Sequence, residues 1–302
     1  MFRSICVVLF SMLLLAGCSS FSSAPKSSGV RSQGNFKVGN PYQIQGKWYT
    51  PSESYSYDET GISSWYGDQF HGKRTANGET FNKNDLTAAH PTLQLPSLIR
   101  VTNLENGRSA VLRVNDRGPF SKSRLIDVSH GAAKVLGYEL TGTARVRVQV
   151  LERESRILAE AARKGYTPDV QMAMAYGPAI PKEVVEETIE NPNVEIADIA
   201  PPPPKTVTKA DIADLNKQLF RKYPVSPTAI YVQVGAFSNV NNAVALKDRL
   251  SSIGQTQIFQ TTVNGQPFNR VRVGPVQEVE KADALLRKVM AAGHPGARIV
   301  VD

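Results

Sequence analysis

The sequence predicts a multidomain chain in which a small, mainly β domain is joined by a disordered linker to an α+β domain. Three observations predict it: strand-like segments between residues 61 and 152, a proline-rich stretch after them, and an internal repeat within residues 228–302. A length of 302 residues is, as a soft prior, about two domains. The 41% hydrophobic and 21% charged content excludes a fully disordered chain, a collagen and a polytopic membrane protein.

The first segment of the chain has the pattern of an export signal. Arg3 precedes an apolar run over residues 5–17, which is too short to cross a bilayer because a stable helix needs roughly 20 residues. The run ends in Leu-Ala-Gly-Cys at 15–18, which resembles the lipobox of bacterial lipoproteins. That resemblance implies that residues 1–17 are a signal peptide and that Cys18 carries S-diacylglycerol and N-palmitoyl groups. The alternative is an ordinary secretory signal with an incidental cysteine.

The two cysteines and the net charge then favour one compartment and one class of partner. With Cys6 discarded and Cys18 lipidated, the mature chain would have no free thiol in an oxidising compartment, and several acyl chains would anchor it stably to a membrane. By resemblance to enterobacterial sorting, Ser19 favours the inner leaflet of the outer membrane, facing the periplasm. The net charge of +8 implies an anionic partner, and this location favours peptidoglycan over nucleic acid.

Composition divides the segments that flank the β domain. Residues 18–40 are rich in Ser, Gly and cations and are predicted to be a disordered tether. Residues 41–60 hold clustered aromatic side chains around a Gly-Lys turn and are predicted to be a hairpin or wrap on the next domain. Residues 153–227 are predicted to be a helix followed by a proline-rich, acidic linker, because 9 of the 19 prolines lie in 178–227.

Residues 61–152 are predicted to form the β domain. Four segments alternate or run in β-branched residues, and Asn106-Gly107 between two of them is a strong hairpin signal. One short helix is predicted at 130–137, with Ser129 as its N-cap. The four strand-like segments are 99–104, 109–116, 124–129 and 144–152.

The last part of the chain, residues 228–302, contains an internal repeat with an offset of 39 residues. The segment 232–254 aligns with 271–293 without gaps, and eight of 23 positions match. Each copy has the pattern of a strand, a glycine turn and a helix, and each is followed by a second strand. The prediction is a β-α-β repeat that forms a four-stranded antiparallel sheet with two helices on one face.

The residues that could do chemistry lie in the β domain. The sequence has no nucleophile elbow, phosphate loop or dinucleotide fingerprint, and His90 has no helical histidine partner, so neither a cofactor nor a metal is expected. Glu79, His90 and Asp116 remain, all near turns. A neighbouring arginine lowers a carboxyl pKa and burial raises it, so the sequence leaves the pKa of Asp116 open. Taken alone, an Asp in a Gly-Pro turn favours a turn cap over catalysis at Asp116, and Asp127 is expected to be a structural buried acid or a cap.

Longer motifs connect the chain to a known family. Residues 61–151 resemble the double-psi β-barrel domain of the RlpA-like lipoproteins, which implies a six-stranded barrel. The repeat resembles the SPOR domain through QVGAF at 233–237 and RVRVGP at 270–275. The matching stretches of the barrel domain are 61–81, 86–93, 100–109, 113–120 and 124–137.

The resemblance implies a lytic transglycosylase of the septal ring. Such enzymes cleave the β-1,4 bond between N-acetylmuramic acid and N-acetylglucosamine, here on strands poor in stem peptides, and leave a 1,6-anhydro ring. Carried over by position, Asp116 is the acid/base. Glu79 and His90 are catalytic partners that position the substrate and tune Asp116. The family often has an acid where this chain has Asn82, which can bind sugar but cannot titrate. Further substrate-binding residues are expected at Trp65, Tyr66 and Arg117 in the barrel and at Tyr231, Gln233, Phe237 and Arg272 in the SPOR-like domain.

Three functions stay open at this point. The first is the enzyme, a lipid-anchored monomer held at the division septum by its SPOR-like domain, with division proteins among its expected partners. The second is a barrel that grips glycan without cutting it, with Asn82 as a sign of lost activity. The third is a structural tether between the outer membrane and the cell wall.

Overall fold

The computed structural model describes residues 34–121, 123–176, 219–263 and 265–302. Within these ranges a closed β-barrel is followed by two helices and then by a four-stranded sheet domain. The predicted signal peptide, Cys18 and most of the predicted linker lie outside the described residues. None of the helices in the described ranges combines the length and apolar character that crossing a bilayer requires.

The chain that precedes the barrel runs along the barrel surface. Residues 34–40, which the sequence assigns to the tether, are held by a backbone bridge to Leu95. A hairpin follows, made of β1 (Tyr42–Ile44) and β2 (Lys47–Tyr49). Two tyrosine rings of this hairpin pack edge-on against the ring of Phe120, so aromatic contact holds this segment on the barrel.

Six strands close the barrel because β4 pairs with both β7 and β6, in the order β4-β7-β3-β8-β5-β6. The pairs β3–β7 and β4–β6 are parallel and the other pairs are antiparallel. This confirms the predicted six-stranded double-psi barrel. The strands are β3 (Asp58–Trp65), β4 (Thr87–Ala89), β5 (Ser97–Asn103), β6 (Arg108–Asp116), β7 (Ile126–Val128) and β8 (Thr143–Val150).

The barrel interior is a closed aliphatic core. Inward side chains such as Ile99, Leu112 and Val146 are fully buried, as the alternation along each strand requires. The short helix α1 (His130–Leu136) covers one end and begins where predicted, since the Ser129 side chain accepts a hydrogen bond from the third residue of that turn. Because the interior is apolar, reactive groups have to come from strand ends and outward-facing positions.

Two helices follow the barrel where the sequence predicts one. They are α2 (Glu152–Arg163) and α3 (Pro168–Tyr176). Gly165 adopts a left-handed φ of 77° between them, and Pro168 begins the second helix, both of which are ordinary helix-boundary signals. Side chains of both helices pack against the outer face of β5 and β6.

The chain rejoins the barrel before it enters the last domain. Strand β9 (Phe220–Lys222) pairs antiparallel with the first residues of β6. The Tyr223 N–H then donates to the Gly107 carbonyl at 2.8 Å. Gly107 has a φ of 73°, and a Cβ added there would lie 2.0 Å from the Tyr223 carbonyl oxygen, so only glycine fits this close approach.

The last domain has the predicted α+β architecture. Its sheet has the order β11-β12-β10-β13 with antiparallel pairing throughout. Apolar residues of both helices pack onto the sheet core that contains Val232 and Val271. The elements are β10 (Ile230–Phe237), α4 (Val240–Leu250), β11 (Thr256–Val263), β12 (Gln266–Val276), α5 (Val279–Ala291) and β13 (Arg298–Val301).

Candidate active site

Asp116 lies at the end of β6, where the strand turns into a loop at the rim of the barrel. Its Oδ1 accepts hydrogen bonds from the backbone N–H of Ala76 at 2.9 Å and of Arg117 at 2.8 Å. Burial raises the pKa of Asp116, although both N–H groups and the Arg117 charge oppose that shift. No described residue bonds Oδ2. The carboxyl is thus fixed through one oxygen and able to transfer a proton through the other.

Glu79 is a buried carboxylate that is saturated with donors. It forms an ion pair with Arg113 at 2.7 Å and accepts from the side-chain amides of Asn77 and Asn115, each at 2.8 Å. Burial raises the pKa of Glu79, but Arg113 and the two amides outweigh it and hold that pKa below its usual range. An ionised, fully bonded group of this kind fixes the turn whose backbone N–H binds Asp116, and it is poorly placed to exchange a proton.

Arg113 and Gln171 are site residues that the sequence did not single out. Gln171 is fully buried in α3 and accepts a hydrogen bond from Arg113 Nη2 at 2.6 Å. Its Nε2 donates to the Gly34 carbonyl at 3.1 Å. The helix after the barrel and the segment before it therefore both brace the arginine that pairs with Glu79.

His90 has a neutral, buried side chain, and its backbone contacts Asp116. Its Nδ1 accepts from the backbone N–H groups of Thr92 and Leu93, so Nε2 carries the hydrogen and donates to the Tyr57 hydroxyl at 3.0 Å. Burial lowers the pKa of His90 to about 3. Its backbone N–H donates to the Asp116 carbonyl at 3.1 Å, so it orders the loop beside the acid. Among the described residues no group of three or more His, Cys, Asp or Glu could hold a metal ion.

We expect this buried imidazole to make the fold acid-sensitive. An unfolded histidine takes up a proton near an ordinary pKa of about 6.5, whereas folded His90 does so only near about 3. Between these values the unfolded state binds more protons, so the free energy of unfolding falls as the pH falls through this window. Urea denaturation from about pH 7 to about pH 4 measures the loss. The His90→Gln variant should lose less over the same range, and an equal loss would contradict this origin.

Two of the predicted substrate-binding residues contact protein in the structure. Arg117 donates from Nη1 to the Leu93 carbonyl at 2.6 Å and from Nη2 to the Val38 carbonyl at 2.7 Å. Asn82 donates to the Asp85 carboxylate at 2.8 Å. Arg117 therefore clamps the loop after Asp116, and Asn82 shapes its own turn.

The aromatic residues of the barrel divide into packed and open rings. Trp65 donates to the Glu139 carbonyl at 3.2 Å and packs against its neighbours. Burial raises the pKa of Tyr66, and the charge of Asp116 raises it further, which indicates that the phenol lies near the acid. Phe70 is 44% exposed, so its ring is open to stack on a sugar face.

The second domain presents a polar face on the side of its sheet away from the helices. Gln233 and Arg272 are paired across β10 and β12, and the Arg272 guanidinium lies 5.8 Å from the centre of the Tyr231 ring. This is the face that strand alternation predicts. Phe237, which the sequence grouped with these residues, packs against the domain core instead, because register shifts interrupt the alternation of β10.

A cavity of about 450 Å³ lies between this sheet face and the barrel. Arg270 and Arg298 line it from the sheet, and Asp58 and Arg147 line it from the barrel. The barrel pair is an ion pair at 2.5 Å, and Arg272 pairs with Asp302. Glu59 also lines the cavity, so four arginines meet three acidic side chains and leave a balance of one positive charge.

Two family models match the two domains of the chain. The lytic transglycolase model matches residues 58–148, and the SPOR domain model matches residues 226–300. A protein from Pseudomonas aeruginosa strain UCBPP-PA14 with the name endolytic peptidoglycan transglycosylase RlpA is 37% identical over 284 residues, covering 91% of this chain and 80% of the relative. A protein of that name from Rickettsia bellii is 45% identical over 165 residues, which cover 49% of this chain and 73% of the relative. A crystal structure of the RlpA SPOR domain from Pseudomonas aeruginosa is 30% identical and covers 24% of this chain and 96% of that chain, with a TM-score of 0.23.

Proposed function

We propose, from the premise that this chain belongs to the RlpA family of endolytic peptidoglycan transglycosylases, that Asp116 is the acid/base of its lytic reaction. The chain is a lytic transglycosylase with a peptidoglycan-binding SPOR domain. One observation carries the assignment of Asp116. Its carboxyl is held by two backbone N–H groups through Oδ1, has a pKa raised by burial, and has no described partner on Oδ2.

The reaction uses this one carboxyl twice. Protonated Asp116 gives its proton to the glycosidic oxygen as the bond from that oxygen to the muramyl C1 breaks. The muramyl C6 hydroxyl then attacks C1, and its proton passes to the Asp116 carboxylate, which restores the acid. No water is consumed, so no second carboxylate has to activate a water molecule.

Glu79 and His90 act through the position of Asp116. The Glu79 carboxylate bonds Asn77, next to the Ala76 N–H that holds the acid. The His90 backbone bonds the Asp116 carbonyl. Both are therefore positioning residues in this proposal, and neither needs to change its protonation state.

The products of the reaction test the chemistry directly. Purified full chain in detergent is incubated with amidase-treated glycan strands in water enriched in heavy oxygen. We expect fragments that end in 1,6-anhydro-N-acetylmuramic acid and contain no solvent oxygen, because the ring closes internally. Labelled reducing ends would indicate a hydrolase. Glycan binding without any product would favour the non-catalytic lipoprotein.

The location of the enzyme is part of the proposal. The lipobox that ends at Cys18 supports a lipid anchor, and Ser19 supports the outer membrane. The SPOR domain supports retention on strands poor in stem peptides, and hence enrichment at the division septum. Partners among the division proteins and a monomeric state stay expectations.

A further inference from the structure

A second carboxyl lies in register with Asp116 on the barrel surface. Strand pairing sets Ala89 of β4 beside Asp116 on one side and beside Asp127 of β7 on the other. Asp127 is in turn paired with Ser64 of β3. Paired residues of neighbouring strands point to the same face of a sheet. A register shift between Ala88 and Ala89 places one extra residue of β6 here, so Asp116 lies beside Ala89 although Val114, two residues earlier, faces the core. The four residues therefore form one row across four strands.

This row points away from the barrel core. Ala88 and Val128, paired one position along, are fully buried in the core, so Ala89 and Asp127 face outward. The residues at the middle of the row have small or no side chains. Gly118 lies next to Ala89, since a Cβ added to Gly118 would lie 3.9 Å from the Ala89 Cβ. The two aspartates are two strand spacings apart, roughly 10 Å between Cα atoms. They flank a floor made of the smallest residues.

Asp127 is held in place and still has bonding capacity. Its Oδ1 accepts from the Ser64 hydroxyl at 2.6 Å and from Arg124 Nη1 at 2.9 Å, and its Oδ2 accepts from the same Nη1 at 3.1 Å. Arg124 Nη1 also donates to the Ser64 hydroxyl. Across the described part of the chain, Nε and Nη2 of Arg124 have no acceptor, and this side chain is 33% exposed.

Tyr66 follows β3 and is influenced by both carboxyls. Burial is the main cause that raises the pKa of its phenol, and the charges of Asp116 and Asp127 add to it, while the side chain of Thr87 opposes it. Its backbone N–H also donates to the Val128 carbonyl, next to Asp127, at 3.2 Å. The direction of this shift agrees with the strand pairing, which places both acids in one row.

We propose that Asp127 and Arg124 form a sugar-binding subsite beside Asp116 that takes an N-acetylhexosamine unit next to the bond that is cut. The free lone pairs of Asp127 Oδ2 accept from a sugar hydroxyl or the acetamido N–H. The unpaired donors of Arg124 bind sugar or acetamido oxygens. This inference rests on the proposed function. It differs from a purely structural role for the Asp127–Arg124 pair, which would affect folding and leave substrate affinity unchanged.

Steady-state kinetics with soluble glycan strands separates the two roles. Asp127→Asn keeps an acceptor for Ser64 and Arg124 but removes the charge, and we expect KM to rise about tenfold with kcat changed less than about threefold. Arg124→Lys keeps the positive charge but loses the planar fork, and we expect a similar rise in KM. The matched control is Glu152→Gln, which breaks an arginine-paired carboxylate on exposed α2 and should leave KM unchanged.

Binding to uncut strands gives a second readout that does not require turnover. We expect the dissociation constant of Asp116→Asn to rise about tenfold when Asp127→Asn is added. If KM and the dissociation constant stay within about twofold while only the melting temperature falls, the subsite is refuted. If Asp127→Asn does not fold, Arg124→Lys decides by the same criteria. If the wild-type chain releases no anhydro product, the proposed function is overturned. The dissociation constants for uncut strands still decide whether the subsite exists.

Discussion

Replacement of Asp116 by Asn is expected to abolish the release of anhydro-muropeptides and to leave the barrel folded. The amide cannot donate a proton to the leaving oxygen, and general acid–base catalysis typically contributes about 100-fold to about 10,000-fold. Asn keeps the Oδ1 acceptor that binds the N–H groups of Ala76 and Arg117, so the loop should hold its shape. Chromatography of muropeptides measures activity, and a thermal melt measures folding.

A matched substitution isolates the role of the carboxyl. Asp248→Asn makes the same chemical change at an exposed position on α4, in the other domain, and should leave product release unchanged. Glycan binding by Asp116→Asn should also persist. Substantial product release by a folded Asp116→Asn protein would show that the proton comes from another group.

Replacement of Arg113 by Met is expected to destabilise the barrel by roughly 3–5 kcal/mol, because it leaves the Glu79 carboxylate buried without its cation. Both partners are 7% exposed, so solvent cannot compensate. Denaturant titration at neutral pH gives the free energy of unfolding. The matched control is Arg156→Met, since the ion pair of Arg156 with Glu152 is about half exposed and should contribute no more than about 1 kcal/mol.

The pH dependence of this variant has a definite sign. In the wild type, Arg113 holds the pKa of Glu79 low, so the pair stabilises the fold above the ordinary glutamate pKa of about 4.3 and loses that contribution as the pH falls below it. Without Arg113, only the amides of Asn77 and Asn115 oppose the effect of burial, so the pKa of Glu79 rises relative to the wild type, and protonation relieves the buried charge. The deficit of the variant should therefore shrink at acid pH, and adding Glu79→Gln should recover part of it at neutral pH. An equal deficit at every pH would contradict this explanation.

The sequence predicted best what depends on local pattern. The 39-residue repeat carries its own strand, turn and helix signals, so the sheet around Val232 and Val271 followed directly from it. The position of Asp116 at the end of a strand was also predictable from alternation. The helix after the barrel was predicted as one element, although Gly165 and Pro168 are local signals of a helix boundary.

The buried contacts that join Glu79, Arg113 and Gln171 could not be predicted from the sequence. Arg113 lies 34 residues from Glu79 and 58 from Gln171, and no spacing rule relates residues that only the closed barrel brings together. The burial of His90 is of the same kind, because its partner Tyr57 lies 33 residues away. The sequence singled out Glu79 and His90 but not Arg113 or Gln171, and only the fold separates the acid from the groups that hold it.

The attachment of β9 to the barrel beside Gly107 limits the distance between the glycan bound by the second domain and the bond that the barrel cleaves. The chain contacts the barrel before residues 177–218, at α3, and after them, at β9, so the length of that segment does not set the separation of the two domains. Only residues 224–229 connect Tyr223 to β10. This linker spans roughly 25 Å when it is fully extended. A glycan strand bound by the second domain would then be cleaved close to the bound stretch, because this short connection, together with the dimensions of the two domains, limits how far apart the two sites can move.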